Sequence, residues 1–435
     1  MDISPRFCKV LLLVLIAVLC VPNLAVAQDT KTTKSTFNLE TNQYLLGDWG
    51  GDRTRLANKG VTFDFFFVSD LFTDPTGGLP SAANGEKGQA ASGWNRIRGT
   101  MDIDFGKLAD IKGLTLHVTG LWQCGTNMGG ILGVLANPSG LVSAHTTRLD
   151  SFWVQYSMFG DKFSVKAGQF AGMDFYGIQH YGGNYLIEPI DYGFGSRFQD
   201  YLSFDPASGP AAEVKVAPIK SVYLKVGVYS GNHNPYGDDT SGFGFEAKNN
   251  ATIDDEVGFL WNQPGGTKDK YYPGLYQVGS SFNGGHFFST SDIDVPTSAN
   301  YQIYIMANQA IFRPVAHSNK GLDVHFGFDM SPSSVLGDNE GHLNAITREV
   351  TAGVIYTGLF PHRDNDSLNF GLVYSHYNAN LTDFLTSEKA YEFNYKCQIT
   401  PYMYFQPVIQ VYQDPGANPT RSTAVNVGAR IFVDF

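Results

Sequence analysis

Residues 44–72 read YLLGDWGGDRTRLANKGVTFDFFFVSDLF, and the hydrophobic period changes inside this stretch. The first half has helical spacing. Asp48 can accept from the first free N–H groups, Arg53 and Arg55 lie on a polar face, and Gly60 stops the run at a natural C-terminal position. From Val61 the period becomes two: Val61, Phe63, Phe65 and Phe67 share one side, and Thr62, Asp64 and Asp70 the other. Carboxylates opposite a row of phenylalanines predict a strand with one apolar face and one wet face. That is the pattern of a membrane barrel wall with water inside.

The rest of the chain repeats this theme. In 94–106, Ile97, Met101, Ile103 and Phe105 oppose Arg96, Arg98, Thr100, Asp102 and Asp104. In 113–124, Leu114, Leu116, Val118 and Trp122 oppose His117, Thr119 and Gln123. In 162–170, Lys162, Ser164 and Lys166 alternate with Phe163, Val165 and Ala167; in 221–231, Tyr223, Lys225 and Tyr229 alternate with four apolar residues. The same period recurs at 299–313, 321–330, 349–358, 367–378, 390–399, 402–412 and 423–435. Long Gly- and Asn-rich segments (125–147, 171–205, 232–270) contrast with tight turns such as Gly160-Asp161, the asymmetry of a barrel with loops at one end. No blade repeat supports a propeller, and the strands are too many for one sandwich domain.

Composition agrees. Of 435 residues only 16% are charged, against 14% aromatic and 48 glycines, which favours β structure over helix. The formal net charge is −11 with no basic run, so nucleic acid is not an expected partner. Arg6 and Lys9, an apolar core over 10–21 and Ala25-Val26-Ala27 read as a cleaved signal peptide, 1–27. Residues 28–43 read as a flexible arm, 44–60 as a short periplasmic helix and 61–435 as the barrel. Cys8 and Cys20 fall in the signal, which leaves Cys124 and Cys397, one pair at most. The last residues, 426–435, alternate up to Phe435, as in the assembly signal of bacterial outer-membrane barrels.

Six stretches, in order, resemble the carbohydrate-selective porins of OprB type: 45–61 (LLGDWGGDRTRLANKGV), 222–231, 272–279, 301–313, 353–366 and 392–415. The resemblance covers about 44–435. It implies an all-β, closed antiparallel transmembrane β-barrel of 16 strands in the outer membrane of a Gram-negative-type bacterium. It also implies passive diffusion of mono- or small oligosaccharides through a narrowed, charged and aromatic lumen. The long loops 125–147 and 232–270 match the family weakly.

A sugar presents hydroxyls on its edges and C–H groups on its faces, so a selective lumen needs polar and aromatic side chains that bind weakly at several places. The pore-lining candidates are Asp64, Arg96, Arg98, Asp102, His117, Arg148, Trp153, Lys162, Lys166, Gln309, Arg313 and Glu392. Each also has a plain reading: charged lumen residues pair across strands and stabilise the wall, and Trp153 fits an interfacial girdle. Arg53 is expected to fix the opening helix to the rim. The acids Asp238, Asp239, Glu246, Asp254, Asp255 and Glu256 read as a solvated outer loop without calcium-loop spacing. No cofactor, metal or catalytic motif is expected. The expected partners are sugars, outer-membrane lipid and lipopolysaccharide, and the barrel-assembly machinery through Phe435, with a homo-oligomer left open. An anion-preferring or general porin and, more remotely, an outer-membrane hydrolase remain the alternatives.

Overall fold

The computed structural model describes residues 42–79, 91–195, 199, 203–232, 239–245, 247–248, 250–262, 272–285, 287–288, 294–295, 299–315, 318–333 and 343–435. The expected signal and most of the arm, and Asp238 and Glu246 of the acidic set, lie outside them.

Sixteen strands, β1 to β16, close into one antiparallel barrel in which each pairs with its sequence neighbours and β1 pairs with β16. In order they are Val61–Thr76, Ala91–Asp104, Leu114–Gly125, Thr146–Met158, Phe163–Phe170, Gly209–Ile219, Val222–Ser230, Ala251–Trp261, Gly274–Asn283, Asn300–Phe312, Gly321–Met330, Ile346–Thr357, Ser367–Tyr377, Ser387–Thr400, Met403–Gln413 and Ala424–Asp434. A separate hairpin pairs Phe287–Phe288 with Asp294–Val295. No helix among the described residues is long and apolar enough to cross a membrane.

Closure explains the two-sided sequence pattern. A barrel has no sheet edge, so its wall N–H and C=O groups pair from strand to strand while the two faces meet different solvents. Leu71, Ile97, Val165, Val226, Phe393 and Ile409 point outward and are exposed, whereas Asp70, Arg96, Thr119, Lys166, Glu392 and Arg430 in the opposite phase are buried. The alternation at Val61–Phe67 and at 426–435 is therefore in the expected phase.

The opening segment is shorter in helix than its sequence suggests. A 3-10 turn, Trp49–Gly51, leads into α1, Asp52–Asn58. The helix N-cap position is Gly51, yet Asp48 still serves the first turn, because its Oδ1 accepts from the Thr54 N–H and hydroxyl, both at 2.8 Å. Gly60 ends the segment with φ +91°, and a Cβ there would stand 2.5 Å from the Asp104 carbonyl oxygen. Only glycine lets the chain turn into β1 so close to β2.

Arg53 fixes this segment to the rim, as expected. Its guanidinium lies 3.5 Å from the Tyr44 ring centroid, and Nη2 donates to the Phe435 carbonyl at 2.7 Å. Arg53→Ala should cost about 1–3 kcal/mol locally. We expect faster proteolysis within 42–60 with the heat-resistant gel mobility of the folded barrel unchanged.

One loop assignment is corrected. The segment 232–270 is not one loop, because Ala251–Trp261 is wall strand β8. Three successive acids, Asp254-Asp255-Glu256, disguise it. Glu256 faces the lumen, where Lys225, Tyr223 and Tyr304 satisfy it, and Asp255 pairs outward with Ser280. Strands β4, β6 and β9 likewise fall outside the stretches with an evident period of two. Cys124 and Cys397 are both free, at opposite ends of the wall.

Candidate functional site: a constriction inside the barrel

Two of the long loops fold inward. The loop between β5 and β6, residues 171–208, carries Met173, Tyr176, Tyr185, Leu186, Ile187, Ile190 and Phe194, all without exposed surface. A loop that apolar cannot stay in water, and burying each such side chain is worth roughly 1.5–3 kcal/mol. Tyr185, Leu186, Ile187 and Ile190 form a core inside the lumen with Phe72, Val373, Val408 and Tyr412 of the wall and Met128 and Leu132 of the 126–145 loop. The two loops also bond to each other, Glu188 N–H to Asn137 O and Gly140 N–H to Leu186 O, both at 2.9 Å.

Wall carboxylates seat these loops by accepting main-chain N–H groups that have no partner of their own. Glu392 takes the N–H groups of Leu186 at 3.0 Å and Ile187 at 2.8 Å, and also Asn394 and Gln410. Glu388, on the same face of β14, takes Leu135 and Ala136, both at 2.8 Å. Glu349 takes Gly195 at 2.6 Å, and Glu256 takes Gly177 at 3.1 Å. Arg430 bridges wall to loop, with Nε on Asp70 at 2.7 Å and Nη2 on Asp191 at 3.1 Å. The return limb is held by Asp205, whose Oδ2 meets Arg96 at 2.6 Å and Arg98 at 3.3 Å.

The loop lies against the β7, β8 and β11–β16 side, so the opening is displaced toward β2–β5. There an eyelet of about 370 Å³ is lined by Arg98, His117, Ser151 and Trp153 of the wall and Asp174, Phe175 and Tyr192 of the loop. The Trp153 ring stacks on His117 with centroids 4.7 Å apart and planes at 11°. His117 is itself fixed in the wall, Nδ1 to Asp102 at 2.7 Å and Nε2 to Thr119 at 2.8 Å. Lys166 lies with its ammonium 3.3 Å from the Phe175 centroid. The Tyr192 hydroxyl donates to Asp174 at 3.0 Å. Burial, and then the Asp205 charge, raises the Asp174 carboxyl above the ordinary carboxylate range. Burial works against the charge of Asp205 too, but Arg96 and then Arg98 outweigh it and hold that carboxyl below its usual range. The eyelet thus sets a basic, aromatic wall against an acidic, aromatic loop.

Of the candidates read from sequence, Arg98, His117 and Trp153 meet at this opening, with Asp102 and Lys166 directly behind it. Trp153 is a lumen residue rather than part of an outer girdle. Arg96 lies deeper, clamped to Asp205, and buried Arg148 pairs with Asp239 of the 231–250 loop at 3.8 Å. Asp64 faces the lumen at the short-turn end, and Arg313 pairs there with Asp323 at 2.5 Å.

Three candidates are placed differently. Lys162 stands in the exposed β4–β5 turn, one residue short of the wall. Gln309 is in the outward phase of β10, where it accepts from the Tyr276 hydroxyl at 2.6 Å and donates to the Tyr272 carbonyl at 3.0 Å. The bulge between Ala310 and Phe312 breaks the phase that joined it to Arg313. Glu392 faces the lumen but is wholly covered by the loop it seats. Sequence reasoning missed Asp174, Phe175, Tyr192 and Asp205; the surplus of large apolar residues in 171–208 was the available signal that this loop is buried.

A profile of the family described as "Carbohydrate-selective porin, OprB family" matches residues 88–435. The chain belongs to that family. Porin B of Pseudomonas aeruginosa is 22% identical over 90% of this chain and 91% of its own length. A high-pH structure of Pseudomonas putida OprB superposes with a TM-score of 0.80 at 17% identity, covering 92% of this chain and 100% of that one. A low-pH structure of the same protein gives 0.59 at 16% identity over the same coverage. These likenesses establish the barrel fold. This OprB-family chain is thus an outer-membrane sugar porin, with the architecture of a channel rather than of an enzyme.

Proposed function

We propose that this porin passes neutral mono- and small oligosaccharides by passive diffusion, and that discrimination occurs at the eyelet beside Trp153. The observation that carries the reading is the fixed indole, held against His117 in an opening that also presents Arg98 and Asp174. An aromatic edge and face take the C–H surface of a sugar, the guanidinium donates to ring hydroxyls, and the carboxyl accepts from them. Such contacts are individually weak, so a solute is selected and then released. Glu392 and Arg430 act indirectly in this scheme: they hold the loop that presents Asp174, Phe175 and Tyr192.

The test is sugar block of ion current through single channels in planar bilayers. Trp153→Ala should weaken glucose block about tenfold while the barrel still assembles, and Trp153→Phe should recover part of it. Block unchanged in Trp153→Ala would move the selective point elsewhere in the lumen.

A further inference from the structure

On the short-turn side of the eyelet, three lysines line the lumen face of consecutive strands: Lys166 on β5, Lys215 on β6 and Lys225 on β7. Two carboxylates accompany them. Lys166 meets its cross-strand partner Glu213 at 3.1 Å, and Lys225 meets its cross-strand partner Glu256 at 2.9 Å. Lys215 has neither. Its neighbours in register are Ser164 and Lys225, so two ammonium side chains stand directly opposite each other. The Lys215 ammonium lies 5.3 Å from the Tyr223 ring centroid, and among the described residues no carboxylate is within ion-pair distance of it.

Like charges directly opposite across a sheet are destabilising. Locally inconsistent choices of this kind concentrate where function requires them. The place is also apt. Lys166 lies 3.3 Å from the Phe175 ring centroid and 5.3 Å from that of Trp153, two residues of the eyelet. Arg98, Lys166 and Lys215 therefore follow one another down the same side of the lumen, and a solute leaving the eyelet meets an ammonium that no carboxylate of the described residues pairs with.

We propose that Lys215 is the centre of an anion subsite for small anionic carbohydrates, and that its ammonium takes the carboxylate of a sugar acid or the phosphate of a sugar phosphate. This rests on the reading of the lumen as the sugar route. Lys225 contributes charge but stays engaged with Glu256, and Lys166 with Glu213, so among the described residues of this group Lys215 sets the strength. A single ammonium in a hydrated lumen binds loosely enough for the anion to leave. Because the attraction is electrostatic, it weakens as salt screens it.

The purified full-length channel, wild type and variants, is reconstituted in planar bilayers, and binding is read from current block by glucose, gluconate and glucose 6-phosphate. Wild type should bind gluconate about tenfold more tightly than glucose at low salt, and K215Q should erase that difference while leaving glucose block within about twofold. K162Q, in the exposed turn, should keep the difference. If gluconate falls and glucose 6-phosphate does not, the subsite serves carboxylates; the reverse pattern assigns it to phosphates. Equal binding of glucose and gluconate by wild type, or an undiminished difference in K215Q, overturns the proposal. Neither result touches the eyelet reading, which fails separately if glucose itself gives no block.

Discussion

Replacing Glu392 with alanine should widen the channel. Four groups donate to this fully buried carboxylate, two of them main-chain N–H groups of the inward loop, Leu186 and Ile187. Removing it leaves those donors without a partner in a dry core, a loss of about 3–5 kcal/mol for a broken buried network. A loss of that size shifts a seated-to-unseated equilibrium by a factor of about 100 or more. The wall itself keeps its ladder on both sides of β14, so the barrel should still close. The expected result is a larger single-channel conductance and loss of glucose block, with folded-barrel gel mobility retained. Glu392→Gln keeps one acceptor oxygen and should fall between the two. Wild-type conductance in Glu392→Ala would mean that apolar burial of Tyr185, Leu186, Ile187 and Ile190 holds the loop by itself.

Asp205→Ala should change selectivity more than size. Its carboxylate lies between Arg96 and Arg98 and cancels charge that would otherwise face the eyelet. Without it the eyelet gains one positive charge, and the return limb of the loop loses its clamp at a cost of about 3–5 kcal/mol. The reversal potential in a KCl gradient should move toward the chloride equilibrium value; no movement, or movement toward potassium, would show that Asp205 does not set the eyelet field. The pH dependence has a definite sign. The Asp205 carboxyl is held below its usual range, so the clamp is present above ordinary carboxylate pKa values and is lost only as pH falls through that depressed value. Asp174, raised by burial, protonates first on acidification. Mild acid should therefore make the eyelet more anion-preferring while the clamp holds.

The wall was legible because two solvents impose its pattern locally. Lipid outside and water inside force a period of two on every strand, and Val61–Phe67, Ile97–Ile103 and Val427–Val433 display it within a few residues. The same period put Arg96, Arg98 and His117 on the lumen face, whereas Trp153 stayed open between lumen and girdle. It failed at β8, where three acids in succession hid the alternation, and near Gln309, where a bulge changed phase between neighbours. Sixteen strands came from the family resemblance rather than from counting, since β4, β6, β8 and β9 carry weak or masked periodicity.

By itself, then, the sequence determined that this chain forms a two-faced barrel, which residues face its water and to which family it belongs. Only the tertiary structure decided where the opening lies and which of those residues reach it. The physical reason is distance along the chain. Glu392 seats Leu186 from 206 residues away, Arg430 reaches Asp191 across 239, and Arg96 meets Asp205 across 109. A strand announces its surroundings in its own spacing. An inward loop has no period, and its acids and N–H groups acquire their meaning from partners that only closure of the barrel brings near.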